Sequence, residues 1–325
     1  MRYFLFFLIL SFTIWQAGSR LTQEVDALSE ETGIGKGFMG VFLLGLITSL
    51  PELFSTITAG FIANPDLGLG NIYGSNVFNL TMLIWADAFY RSRSLSNELA
   101  VSSIFSGMGA IFMITLLTIG VFLAKYNLLF SVGRISIIDV LCLLGYFWVA
   151  RAMWGKERQD MDSSSCIWDR DRLIRIGFLS LVVVIAGILI AFVCDKLSEL
   201  SIGSRPLGAT FVGGLLLGFA TSLPELSVSI SAARMGSADM SVGNVFGSNM
   251  FNVIIIPIGD IFSPHSLWAG SLMHLFSYAM IVLMTSSFLL FFFSGPKKKI
   301  GPFGPVSYVL LGLYLVWVSV LYYLR

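Results

Sequence analysis

The chain has 325 residues, 56% of them apolar and 12% charged, with a formal net charge of +1 and a mean hydropathy of +0.85. Soluble domains average about 25% charged residues, so this composition excludes a sizeable soluble domain and predicts a lipid bilayer as the surroundings. The near-neutral balance gives no reason to expect a nucleic-acid partner.

Apolar stretches able to cross a hydrocarbon core, which takes about 20 helical residues, recur ten times, over 3–19, 38–62, 67–90, 99–124, 135–153, 173–194, 206–233, 240–262, 268–293 and 303–324. The first has an alternative reading as a cleaved signal peptide, with Arg2 as a positive start and Ala17, Gly18 and Ser19 as a small-residue exit. Symmetry weighs against it. Five spans precede and five follow the Trp154 to Arg172 loop, and the two sets share a repeat.

That repeat is the most informative feature of the chain. TSLPE occurs at Thr48 to Glu52 and again at Thr221 to Glu225, and GNIYGSNVFN at Gly70 to Asn79 returns as GNVFGSNMFN at Gly243 to Asn252. The offset is a constant 173 (225−52 and 252−79), and segments 45–79 and 218–252 align without a gap. The matched residues include a glutamate, hydroxyls and amides, which are costly inside a bilayer and usually functional there.

A unit that crosses five times hands the chain to its copy on the opposite membrane face. The expected fold is therefore an all-α integral membrane protein of ten transmembrane helices arranged as two inverted five-helix repeats, the pattern of secondary transporters. The halves are residues 1–153 and 173–325, joined by a cytoplasmic linker at 154–172. Of the 20 Lys and Arg, fourteen fall on the side without the termini: Arg20, Lys36, Arg91, Arg93, Arg151, Lys156, Arg158, Arg170, Arg172, Arg175, Arg234 and Lys297 to Lys299. The positive-inside rule then puts both termini outside a cell (inner) membrane.

Pro51 and Pro224 stand where a spanning helix should continue. Proline lacks an N–H and clashes with the preceding turn, so carbonyls around Gly45 to Thr48 and Gly218 to Thr221 are expected to be freed. Thr48, Ser49 and Glu52, like Thr221, Ser222 and Glu225, lie within about one turn of the break. Asn71, Ser75 and Asn79 follow at i, i+4, i+8 spacing, as do Asn244, Ser248 and Asn252, giving each half one polar helical stripe. Gly70, Gly74, Gly243 and Gly247 form a small-xxx-small pattern expected to bring the two stripes together. A carboxylate at the bilayer centre costs roughly 2.5 to 3.5 kcal/mol, and no Lys or Arg lies in the repeated segments except Arg234. Protons or bound cations must therefore neutralise Glu52 and Glu225, and two glutamates balance one divalent cation.

TSLPE paired with GNxxGSNxFN in both halves of a ten-span chain resembles the alpha repeats of the calcium/cation antiporter superfamily, most closely its prokaryotic sodium/calcium exchanger-like branch. The resemblance implies that Glu52 and Glu225 bind calcium and a counter-ion in turn. It further implies help from Thr48, Thr221, Ser49, Ser222, Ser75 and Ser248, from backbone oxygens near Gly45 and Gly218, and from Asn79 and Asn252. This branch can carry aspartate at the position of Asn252, and asparagine there leaves sodium, proton and potassium coupling open. Sodium-driven calcium export is the leading expectation, without cofactor or catalytic residue. A passive cation channel is a different class, disfavoured by the inverted repeats, and no His-Glu-x-x-His or comparable motif suggests an enzyme.

Other polar residues have plainer readings. Asn76 and Asn249 lie beside the stripe, where helix packing and ion contact are equally expected. Asp66 and Asp239 read as solvated helix caps, and Asp87 and Asp260 as interfacial groups within reach of water. Asp160, Asp162, Asp169 and Asp171 belong to a charge-mixed linker, and His265 and His274 to the interface. Cys142, Cys166 and Cys194 support neither disulfides nor zinc. Lys297 to Lys299, Trp154, Tyr322 and Tyr323 read as interfacial anchors.

Overall fold

The computed structural model describes residues 2–32, 48–90, 94–95, 101–157, 170–202, 205–294 and 298–324, without the side chains at 22, 25–26, 28–32, 101–102 and 152–157. Gly45, Lys297, Cys166, the Trp154 side chain and the charged residues of 158–169 lie outside the described residues. The long helices are α1 (Arg2–Thr32), α3 (Pro65–Phe89), α4 (Val101–Lys125), α5 (Ile137–Glu157), α6 (Arg170–Ser198), α9 (Ala238–Phe262), α10 (His274–Phe293) and α11 (Pro305–Leu324). Shorter pieces are α2 (Leu50–Phe61), α7 (Ala209–Thr221) and α8 (Leu223–Arg234). Two small hairpins, Ser131–Val132 with Ile135–Ser136 and Ser201–Ile202 with Arg205–Pro206, take up the first residues of the spans expected at 135–153 and 206–233, whose helices start at Ile137 and Ala209.

Among the described residues, six helices are long and apolar enough to cross a membrane, and α7 with α8 makes a seventh bent by 50°. Helix α3 has the length but carries three asparagines, a serine and three glycines. It can do so because 20 of its 25 residues are buried against protein rather than lipid. Its repeat partner α9 is equally enclosed, also with 20 of 25. Around this pair, α2, α7, α8, α10 and α11 pack on α3, while α1 and α6 lie against each other on the outside. The periphery is apolar and exposed, as at Phe4, Phe147, Phe178 and Phe293. Polar side chains are gathered at the centre, the reverse of a soluble domain.

Helix α1 runs well past the expected end at 19. Beyond the apolar segment the chain offers Leu, Gln, Glu and Ala and no Gly or Pro before Gly33, so propensity carries the helix on. There Glu24 meets Arg175 at 2.8 Å and Arg172 at 3.5 Å.

The connections gather at two ends. At one, Asn64 donates to Asp195 at 2.8 Å, Arg134 to the Ser263 carbonyl at 2.6 Å, and Ser271 N–H to Asp66 at 2.6 Å. At the other, Ser103 donates to Asp239 at 2.7 Å, and Leu95 N–H and Ser307 each reach Asp87 at 2.7 Å. These contacts correct the readings of Asp66, Asp87 and Asp260, while Asp239 is exposed in the first turn of α9, as expected. Asp87 is buried and also accepts from Gly304 N–H, Asp260 is buried and receives Leu267 N–H at 2.6 Å, and Asp66 pairs with a buried His274 at 3.0 Å. Each carboxylate satisfies backbone or side-chain donors of a neighbouring connection, a role that sequence spacing does not reveal. The cap of α3 is Asn64, which accepts from Leu67 N–H at 3.1 Å.

The glycine stripe packs differently from the expectation. A Cβ on Gly74 would lie 2.0 Å from the Gly214 carbonyl oxygen, and one on Gly70 3.1 Å from Gly213 Cα. This face of α3 therefore meets α7, whose residues Val212–Leu217 form a turn of π-helix, while Asn76 and Asn79 face α9. We predict that Gly74→Ala lowers the melting temperature of the purified protein, consistent with an overpacking cost of about 1–3 kcal/mol. Gly177→Ala, with nothing within 4 Å of its Cβ, should leave it unchanged; equal melting of the two variants in scanning fluorimetry would contradict this packing.

Candidate functional site

The two TSLPE segments fold alike. Helix α7 stops at Thr221 and α8 begins at Leu223, with Pro224 in its first turn. Likewise Pro51 sits in the first turn of α2. The residue at each break has the same backbone, φ −87°, ψ 11° at Ser49 and φ −87°, ψ 10° at Ser222. Proline is tolerated in a first turn, where its missing N–H would have had no helical partner, so each break places its glutamate at the start of a new helix. There the helix dipole favours negative charge.

Glu52 is 0% and Glu225 1% exposed, and among the described residues neither forms an ion pair with Lys, Arg or His. Their shortest hydrogen bonds come from the opposite repeat. Ser222 Oγ donates to Glu52 Oε1 at 2.8 Å, and Ser49 Oγ donates to Glu225 Oε1 at 3.1 Å. Ser75 Oγ lies 3.4 Å from Glu52 Oε1 and 3.4 Å from Thr221 Oγ1, bridging the two. Thr221 Oγ1 donates to Asn71 Oδ1 at 3.1 Å, and Thr48 is buried beside Glu225. The carbonyl of Gly218, expected to be free, accepts from Ser222 N–H and Ser75 Oγ, each at 3.3 Å. Local hydroxyls and amides have taken up what the break released.

The first asparagine of each stripe fastens its half together. Asn71 Nδ2 donates to Ser55 Oγ at 2.9 Å and Thr56 Oγ1 at 3.0 Å, binding α3 to α2. Asn244 Nδ2 does the same for α9 and α8, through the Glu225 carbonyl at 3.2 Å and Ser229 Oγ at 2.9 Å. Thr56 and Ser229 were not anticipated, although they share the offset of 173 and lie one turn after each glutamate.

At the crossing of α3 and α9 four asparagines interlock. Asn79 Nδ2 donates to Asn249 Oδ1 at 3.0 Å and Asn252 Nδ2 to Asn76 Oδ1 at 2.9 Å. In turn Asn76 Nδ2 donates to the Asn249 carbonyl at 3.4 Å and Asn249 Nδ2 to the Asn76 carbonyl at 3.2 Å. Helix packing is thus the observed contact of Asn76 and Asn249.

Among the described residues, six buried side-chain oxygens of the two repeats have no hydrogen-bond partner: Glu52 Oε2, Glu225 Oε2, Asn79 Oδ1, Asn252 Oδ1, Asn244 Oδ1 and Ser248 Oγ. An unmet buried acceptor costs about 1–3 kcal/mol, and natural interiors hold few. Oxygen atoms with lone pairs and no donor, around two carboxylates with no protein cation, are the donor set of a hard cation such as calcium or sodium. All ten anticipated residues, Thr48, Ser49, Glu52, Ser75, Asn79, Thr221, Ser222, Glu225, Ser248 and Asn252, are buried in these four helical segments.

Comparison with known proteins agrees in extent with this architecture. The family model described as "Sodium/calcium exchanger protein" matches residues 2–153 and 174–323. Inner membrane protein YrbG of Escherichia coli is 24% identical over 95% of this chain and 93% of its own. Sodium/calcium exchanger MaX1 of Methanosarcina acetivorans is 24% identical over 93% of each. Over a shorter stretch, 23% of this chain, human sodium/potassium/calcium exchanger 2 is 36% identical. The solved structure of the sodium-calcium exchanger NCX_Mj soaked with 10 mM Na+ and 10 mM Sr2+ superposes with a TM-score of 0.64 at 20% identity, covering 98% of this chain and 96% of that one. The fold is thus that of an all-helical membrane exchanger, and the chain belongs to the sodium/calcium exchanger protein family.

Proposed function

We propose that this protein exports calcium across the cell membrane in exchange for sodium, by alternating access to a single site between two inverted five-helix halves, residues 1–153 and 173–325, joined by the cytoplasmic linker 154–172. The observation that carries the reading is the crossed pairing of Ser222 with Glu52 and Ser49 with Glu225, beside six unpartnered buried oxygens. One divalent ion neutralises both carboxylates. Sodium ions at the same oxygens would do so in its place, and such exclusive occupancy couples the two fluxes. A site lodged between the breaks can open to one face or the other as the halves shift, whereas a continuous pore would dissipate the gradient.

The ligands we assign are Glu52 and Glu225, with Thr48, Thr221, Ser49, Ser222, Ser75, Ser248, Asn79 and Asn252 supplying neutral oxygens. Asparagine at both 79 and 252 gives a centre with two carboxylates. Ten crossings follow if α2 with the segment before it, α3 and α5 each span once. The sorting of the connections into two ends supports that count, since Asn64, Asp66, Arg134, Asp195 and His274 meet at one end and Asp87, Ser103 and Asp239 at the other.

In proteoliposomes, radiolabelled calcium uptake driven by a sodium gradient should fall at least about a hundredfold in Glu52→Gln and in Glu225→Gln, since losing one partner of a buried charge set costs roughly 3–5 kcal/mol. Flux driven by a pH or potassium gradient alone would replace sodium as the coupling ion, and flux equal to wild type in both variants would refute the site. For orientation, alkaline phosphatase fused after Arg325 should be active and green fluorescent protein dark in bacterial cells; the reverse result would place the termini inside.

A further inference from the structure

We propose that Asn76 and Asn249, outside the ligand set assigned above, are positioning residues that fix which end of the Asn252 and Asn79 amides faces the cation. The inference rests on the site reading and extends it to residues that touch no ion.

An amide side chain has a donating and an accepting end of nearly the same shape, and rotation by half a turn exchanges them. In a cation site the difference is decisive. One orientation offers an oxygen ligand, the other two N–H groups whose positive ends repel the ion. The tetrad resolves the choice by a chain of forced pairings. A backbone carbonyl only accepts, so Asn76 must turn its nitrogen to the Asn249 carbonyl, at 3.4 Å. Its Oδ1 is thereby committed to the other side, where it can only accept. The group there is Asn252, whose nitrogen must therefore point at Asn76, at 2.9 Å.

What remains of Asn252 is Oδ1, buried and, among the described residues, without a hydrogen-bond partner. The second half repeats the logic. Asn249 Nδ2 is held by the Asn76 carbonyl at 3.2 Å, its Oδ1 receives Asn79 Nδ2 at 3.0 Å, and Asn79 Oδ1 is left buried and unpartnered. Each backbone carbonyl thus sets, two hydrogen bonds away, the polarity of one ligand in the same half as itself. The side-chain pairs are 76 with 252 and 249 with 79, and no side-chain bond joins 76 to 79 or 249 to 252 among the hydrogen bonds described.

This pairing distinguishes positioning from general packing. If Asn76 acts through the Asn252 amide, removing Asn76 matters only while that amide is present. The test is a pair of double-mutant cycles, read as equilibrium binding of radiolabelled calcium to purified protein with the folded fraction checked by size-exclusion chromatography. Asn76→Leu and Asn252→Ala are each expected to weaken calcium binding by about tenfold, the effect of about one lost ligand. The double variant should bind no more than about twofold weaker than either single. In the crossed cycle, Asn76→Leu with Asn79→Ala, the losses should multiply to about a hundredfold. Where Asn76→Leu does not yield folded protein, Asn76→Ala enters the same cycles.

Losses that multiply in both cycles would mean ordinary packing and overturn the proposal, as would an Asn76 variant that binds calcium like wild type. Wild type and Glu52→Gln are measured alongside. If wild type binds calcium and Glu52→Gln does not, a failure of the cycles counts against the positioning role alone. If wild type binds neither calcium nor sodium, both the site and the role are overturned.

Discussion

Two carboxylates buried between helix breaks, with no protein cation to balance them, are the constraint on which the rest of this molecule depends. In a medium of low polarity an isolated carboxylate is costly enough that it either takes a proton or recruits a counter-ion. The chain does not offset Glu52 or Glu225 with lysine or arginine, and among the described residues neither has an ion pair. It instead surrounds them with neutral oxygens, which stabilise a bound cation without competing with it. A fixed positive side chain would fill the centre permanently, whereas in the function proposed above a mobile ion completes it and is acquired and released in turn.

The architecture follows from keeping that centre both dry and accessible. Proline at the start of α2 and of α8 interrupts each helix where the glutamate is needed, and the serine before it turns its hydroxyl to the carboxylate of the other half. Because each carboxylate is held by a residue of the opposite repeat, the two breaks cannot separate without exposing both charges. Glycines 70 and 74 let α3 lie against the π-helical turn of α7, and that proximity brings Ser75 within reach of both Glu52 and Thr221. The apolar periphery then needs only to match lipid.

Much of this was legible in the sequence because the polar motif is written twice. A constant offset of 173 singled out ten polar residues in an apolar chain, and all ten are buried in the four segments that form the centre. Helical spacing reports which residues share a face, but not which neighbour that face meets. The glycine stripe was accordingly read against α9 when it packs on α7, and Asn76 and Asn249 stood undecided between packing and ligation. Thr56 and Ser229 were passed over because a hydroxyl one turn after a glutamate carries no signal until the repeat is compared position by position. Asp66, Asp87 and Asp260, near the ends of α3 and α9, were read as solvated or interfacial because hydropathy says nothing about the backbone donors that a neighbouring connection presents.

The central claim is that one divalent cation sits between the two glutamates and yields its place to sodium. Diffraction from crystals grown with strontium, recorded to use its anomalous signal, tests this directly. The account predicts one strong peak at about 2.3–2.6 Å or slightly more from oxygens of both Glu52 and Glu225, fading as sodium replaces strontium in the soak. Strontium bound elsewhere with none between the glutamates, or a central peak indifferent to sodium, would contradict it.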